Sequence, residues 1–161
     1  MFHAKNYIKV TSLEEAYELN QKKSNAIIGG MLWLKMSNRN MQTAIDLSGL
    51  GLDKIEEQED AFSIGCMCTL RQLEMHEALN LYFGGAMKAC TRHIVGTQFR
   101  NGATVGGSIF GRFGFSDILT CLLALDTYVE LYHAGVIALS EFVEMPRDND
   151  ILVRIIIKKD G

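Results

Sequence analysis

The sequence predicts an α+β chain in two parts: a small unit with parallel strands over about residues 1 to 50, and a larger mixed unit with antiparallel strands over about 51 to 161. Three observations carry this reading. The first part runs strand, helix, strand, Gly-rich turn, helical turn, strand, the grammar of a small parallel unit. The second part holds several β-branched, alternating runs, two of them separated by a short turn, interleaved with helical patterns. Finally, a chain of 161 residues with 48% apolar and 22% charged side chains is long enough and apolar enough to bury one well-formed core.

In chain order, NYIKV (6–10) alternates as a strand, and Ser12 with Glu15 forms a capping-box pattern that opens a short helix through about Lys22. Ala26 to Ile28 is a short buried strand ending at Gly29-Gly30; MLWLKM then suits a helical turn or two, and TAIDL (43–47) a third strand. AFSIGCMC (61–68) reads as a strand, Thr69 as the N-cap of LRQLEMHEAL, and YFGGAMKACT as a further helix to near Arg92. The stretch NGATVGGSIFGRFGFSD (101–117) has five glycines and reads as a loop, with Asn101-Gly102 as a turn and Arg100 anchoring a neighbouring carbonyl. Ser116 suits an N-cap for DILTCLLALD, a helix apolar on most faces and so buried. TYVELYH (127–133) and GVIAL (135–139) form a hairpin across His133-Ala134, SEFVEM a helical turn, and ILVRIIIKK (151–159) the last strand.

Charge and motifs exclude several classes. A net charge of -3 without a basic run argues against nucleic-acid binding, and no apolar run approaches the ~20 residues that span a bilayer. No secretory signal pattern is present, so a cytoplasmic chain is expected. Cys66, Cys68, Cys90 and Cys121 include no C-x-x-C, and read as reduced, mostly buried thiols rather than metal ligands. No nucleophile or metalloprotease motif occurs, so any chemistry would come from a bound cofactor, with no catalytic side chain expected.

Two glycine doublets, Gly29-Gly30 and Gly106-Gly107, each follow a short apolar segment. Such turns let a ligand approach the backbone, and successive N–H groups suit a phosphate, although most doublets are tight turns alone. Neither fits the dinucleotide fingerprint or the phosphate loop. Asp117, in the first turn of its helix, either complements the helix dipole or accepts from a sugar hydroxyl.

The order of AIIGGMLWLKM (26–36), TAIDLSGL (43–50), SIGCMCTLRQLE (63–74) and QFRNGATVGGSIFGRFGFSDILTCLLALDTYVEL (98–131) resembles the FAD-binding (medium) subunit of the molybdenum hydroxylases, the xanthine dehydrogenase and carbon monoxide dehydrogenase type. The specific part is R-N-x-x-T-x-G-G with its downstream S-D. The resemblance implies the two-subdomain fold of molybdopterin dehydrogenase flavoproteins, with FAD held by two loops. By position, Ile27, Ile28, Gly29, Gly30, Met31, Leu32 and Trp33 match the first loop, and Thr104, Gly106, Gly107 and Ser108 the second. Ser116 and Asp117 match the pair that contacts the ribose and adenine half, while Gly96 and Leu152 fall at backbone or apolar contacts to the cofactor. Met31 and Leu32 replace a Thr-Asp pair, and Ser108 replaces Asn. The family's usual C-terminal domain is expected to be absent. The implied role is electron transfer: an iron-sulfur subunit and a molybdopterin-binding subunit as partners, with NAD+ or another acceptor downstream.

Overall fold

Strands β1 (His3–Lys9), β2 (Asn25–Ile28) and β3 (Asn40–Asp46) form a parallel sheet in the order β1-β3-β2. The computed structural model describes residues 1–160. Helix α1 (Leu13–Asn20) makes the crossover from β1 to β2. Ser12 caps it through Glu15 N–H, but the Glu15 carboxylate reaches past Ser12 to the amide and hydroxyl of Thr11, so the expected box closes one residue early. A 3-10 turn, Leu34–Met36, leads from β2 towards β3.

The second sheet is antiparallel and orders β4 (Ile55–Glu57), β5 (Ala61–Gly65), β8 (Leu152–Lys158), β6 (Thr127–Leu131) and β7 (Gly135–Ala138) from edge to edge. Its centre is β8, because Val153, Ile155 and Ile157 alternate onto the core face while β5 and β6 pair its two edges. The β6–β7 hairpin turns across His133 and Ala134 as expected, with the Asp150 carboxylate accepting from both turn amides at 2.9 Å. One core joins the two sheets: Val10, Ala16, Ile45 and Leu47 belong to the same buried cluster as Phe62, Ile109, Leu122 and Ile155.

Between β5 and β6 lie α2 (Leu70–Met75), α3 (Glu77–Tyr82), α4 (Ala86–Thr91), α5 (Thr97–Gly102), α6 (Val105–Phe110) and α7 (Asp117–Leu123), with α8 (Leu139–Glu144) after β7. Thr69 caps α2 in a full box with Gln72, and Ser116 caps α7 through Leu119 N–H. Three expectations are corrected. The helix expected over 70–79 is broken at His76, whose Nδ1 accepts from Leu79 N–H and starts α3. The next expected helix is interrupted at Gly84 and Gly85, both in the left-handed region. The stretch 101–117 is largely helical rather than loop: Asn101 and Gly102 close α5 and Gly106-Gly107 lie inside α6.

Candidate functional site

The C-terminal end of β2 opens directly into the first glycine doublet, and this end faces the start of α6. Between them a cleft of two joined cavities, about 810 Å³ and about 460 Å³, shares the walls Ile27, Gly29, Trp33, Thr104, Gly107 and Phe113. That is the size range of sites for cofactor-sized molecules.

The larger cavity runs along β2 and is walled by Ile28, Gly106 and Leu152, with Lys23, Arg39 and Arg147 bringing positive charge. The smaller is walled by Gly30, Met31, Leu32, Ser108, Ser116 and Asp117. The structure thus brings together every expected site residue except Gly96, which caps α5 and is absent from the walls of both cavities; its neighbours Ile94 and Val95 line the smaller one instead.

The first jaw, Gly29 to Trp33, is a bend at the end of a strand. Met31 sits at φ 60° there, in the left-handed region where nests of amides form. The backbone N–H groups of Gly29, Gly30, Met31, Leu32 and Trp33 donate to no acceptor among the described residues. Consecutive amides left open beside a cleft are a donor set for an anion, and they do not depend on side-chain identity.

The second jaw is different. Val105 N–H donates to Cys68 O and Gly106 N–H to Cys66 O, both at 2.8 Å, while Gly107 N–H is taken by the Thr104 hydroxyl at 3.2 Å. The glycines differ accordingly. A Cβ on Gly30 would fall 1.6 Å from the Gly102 carbonyl oxygen, and one on Gly29 2.5 Å from the Thr104 hydroxyl. A Cβ on Gly106 would fall 2.7 Å from the Cys66 carbonyl oxygen, so the packing of α6 on the β5 end requires a glycine at this point of the larger cavity's wall. Gly107 is the exception, since its Cβ would meet only the Thr104 hydroxyl, at 3.1 Å.

Behind the second jaw lies a buried ion pair. Arg100 Nε donates to the Glu74 carboxylate at 2.9 Å, and Arg71 reaches the same carboxylate at 2.8 Å. Burial disfavours the Glu74 charge, but hydrogen bonds from Arg71 and Arg100 outweigh it and hold its pKa below the usual carboxylate value. Arg100 also donates to the Ile94 carbonyl at 3.2 Å, as its position beside the Asn-Gly pair suggested. That bond fixes the residue before Val95, a β-branched side chain at φ 52° on the cavity wall.

Sequence reasoning missed the aromatic rim, in which Phe113 and Phe115 stack with centroids 5.3 Å apart. It also missed Arg147, whose guanidinium lies 5.3 Å from the Phe113 ring, because no local pattern ties residue 147 to residue 113.

A parallel three-stranded sheet and an antiparallel five-stranded sheet, closing on a cofactor-sized cleft with a strand-end nest of open amides, define an α+β nucleotide-cofactor domain. The family model for the FAD binding domain in molybdopterin dehydrogenase matches residues 2–159, and the chain belongs to that family. Its cofactor is FAD, and the open amides and the volume of the cleft fit a diphosphate-linked dinucleotide.

The chain is 26% identical over 156 residues to the uncharacterized protein YgfM of Escherichia coli (strain K12), covering 94% of this chain and 58% of YgfM. A carbon monoxide dehydrogenase from Hydrogenophaga pseudoflava, which lacks the Mo-pyranopterin moiety of its molybdenum cofactor, superposes with TM-score 0.88 at 19% identity, over 100% of this chain and 61% of that one. Quinoline 2-oxidoreductase from Pseudomonas putida 86 superposes with TM-score 0.86 at 20% identity, again over 100% and 61%. The chain therefore spans about three fifths of the length of these relatives. No helix among the described residues is long and apolar enough to cross a membrane.

Proposed function

We propose that this chain is the FAD-carrying electron-transfer subunit of a multi-subunit molybdenum-containing hydroxylase or dehydrogenase, taking electrons from iron-sulfur clusters on one partner and passing them to NAD+ or another acceptor. Substrate oxidation would occur on a molybdopterin-binding partner. The observation that carries this reading is the row of open amides from Gly29 to Trp33 beside a cleft walled by the residues that match the family's two loops.

In this reading the first-jaw amides hold the diphosphate. Thr104 and Gly107 form the opposing surface, and the Asp117 carboxylate accepts from a ribose hydroxyl at the nucleoside end. Ile27, Ile28 and Leu152 give the larger cavity apolar walls that exclude water from a ring system lying along β2. Bound FAD supplies the redox chemistry, because a flavin accepts electrons singly and delivers them in pairs. No side chain of the cleft has to act as acid or base; the protein places the cofactor and sets its electrostatic surroundings.

The test is flavin retention followed by partner-dependent reduction. Protein purified after flavin supplementation should be yellow, hold FAD through gel filtration, and be reduced by the reduced iron-sulfur partner. A folded, colourless protein that ignores added FAD would overturn the reading in favour of an assembly subunit that has lost its cofactor. NADH oxidation by the isolated chain would instead mark a free-standing reductase.

A further inference from the structure

Outside the cleft, two thiols converge on one turn of α4. Cys90 Sγ donates to the Met87 carbonyl at 3.3 Å, and Cys121 Sγ, from α7, reaches the adjacent Ala86 carbonyl at 3.9 Å. Helices α4 and α7 pack against one another here, so the two sulfurs sit on adjacent carbonyls of one helical turn. Both are free and half-buried, whereas Cys66 and Cys68 are fully buried in the core.

We infer that Cys90 and Cys121 are a redox-modification site, a dithiol that closes to a reversible disulfide bridging α4 and α7 on exposure to hydrogen peroxide. The roles of the two thiols follow from their surroundings. The neighbouring Cys90 draws the Cys121 pKa below the usual cysteine value, against the opposing effect of burial, which makes Cys121 the more readily ionised of the two. The Cys90 thiol is pushed up by the neighbouring Cys121, by burial and by the negative charge of Asp117. Burial also pushes Cys66 and Cys68 up, to about 12 and about 11, which leaves them inert.

The chemistry balances with peroxide as oxidant. The Cys121 thiolate attacks one peroxide oxygen, the O–O bond breaks, and the leaving oxygen departs as water after taking a proton, leaving a sulfenic acid on Cys121. Cys90 then attacks the Cys121 sulfur. The S–S bond forms, the S–O bond breaks, and a second water leaves with the Cys90 proton. The two sulfurs lose two electrons, and one peroxide is reduced to two waters.

The bridge would join both walls of the smaller cavity. The chain leaves α4 through His93, Ile94 and Val95, and α7 begins at Asp117, all of which line that cavity. A covalent link between the two helices therefore restrains the nucleoside end, and FAD release is expected to slow; this consequence rests on the proposed FAD site, whereas the bridge does not.

The experiment treats the full-length reduced chain with hydrogen peroxide and maps it by peptide mass spectrometry, with and without dithiothreitol. The expected product is a linked pair of peptides carrying Cys90 and Cys121, with the loss of two hydrogens, reversed by the reductant. In Cys90→Ser, the sulfenic acid should instead be trapped on Cys121 by a dione probe; in Cys121→Ser, neither product should form. Free thiols at both positions after treatment, a bridge to Cys66 or Cys68, or irreversible oxidation of Cys121 without bridging would each overturn the inference. FAD release measured on bridged and reduced protein then separates the claims. A bridge that leaves release unchanged removes the coupling to the cleft, and a bridge in protein that binds no FAD removes the FAD reading and leaves the dithiol standing.

Discussion

The two glycine doublets look alike in sequence and do opposite work. Gly29-Gly30 ends a strand, keeps its amides open, and lacks side chains because the other jaw presses on it: the Gly102 carbonyl and the Thr104 hydroxyl occupy the space a Cβ would need. Gly106-Gly107 lies inside a short helix whose first amides are already spent on Cys68, Cys66 and Thr104. In the proposed reading the first jaw is the binding surface and the second is chiefly a buttress. This distinction removes the weight from the replacement of Thr-Asp by Met31 and Leu32, because the donors that matter there belong to the backbone. Leu32 also has a packing task, since its Cδ2 lies 2.8 Å from where a Gly102 Cβ would sit.

The largest effect should come from undercutting the buttress. Arg100→Met strands the Glu74 carboxylate in the interior with only Arg71 left, and should cost about 3 kcal/mol in urea unfolding. The same carboxylate predicts an acid limb. Its folded pKa lies below its unfolded value, so its contribution is fully present above the ordinary glutamate value of about 4.3 and is lost as pH falls through the lower folded value. Glu74→Gln should flatten that limb of the stability profile, and an unchanged slope would count against the pairing.

Next comes Gly106→Ala. The new methyl would overlap the Cys66 carbonyl, and stability should fall by about 1–3 kcal/mol whether or not FAD is present. Gly107→Ala separates binding from folding. Helix propensity favours alanine and only the Thr104 hydroxyl is close, so stability should change by under ~1 kcal/mol, while a methyl on the cleft wall should weaken FAD about tenfold. Equal losses of stability in the two variants would erase the difference drawn between these neighbours.

The smallest effect is expected at Met31→Gly. Glycine relieves the left-handed backbone but costs unfolded-state entropy, for a net gain of at most about 1 kcal/mol by thermal melting, with FAD affinity unchanged. A large loss of affinity would mean that the methionine side chain, not its amide, holds the cofactor.

How much of this was legible beforehand depended on sequence distance. Strands with alternating or β-branched runs, and caps such as Ser12, Thr69 and Ser116, are written within a few residues and were readable. The break at His76 was not, because a histidine ring serving as an N-cap has no common local signature. β4 escaped notice because Ile55–Glu57 is a short edge strand with a polar face. The glycine-rich stretch read as loop because glycine's cost to a helix is local, while its reason here is distant: Gly102 is met by Leu32, and Gly106 by Cys66. All but one of the residues that the family resemblance named line the cleft, yet it could not tell which glycines keep their amides open and which have them bonded within the protein. Gly96 shows the limit, since it stands one residue from the wall it was expected to form.

The division of labour between the jaws is tested most directly by proton–nitrogen correlation NMR of the labelled chain titrated with FAD. The account predicts large downfield shifts and slowed hydrogen exchange for the amides of Gly29 through Trp33, with small changes at Val105 and Gly106, whose protons are already bonded to Cys68 and Cys66. Large shifts at Val105 and Gly106 with a silent first jaw would contradict it.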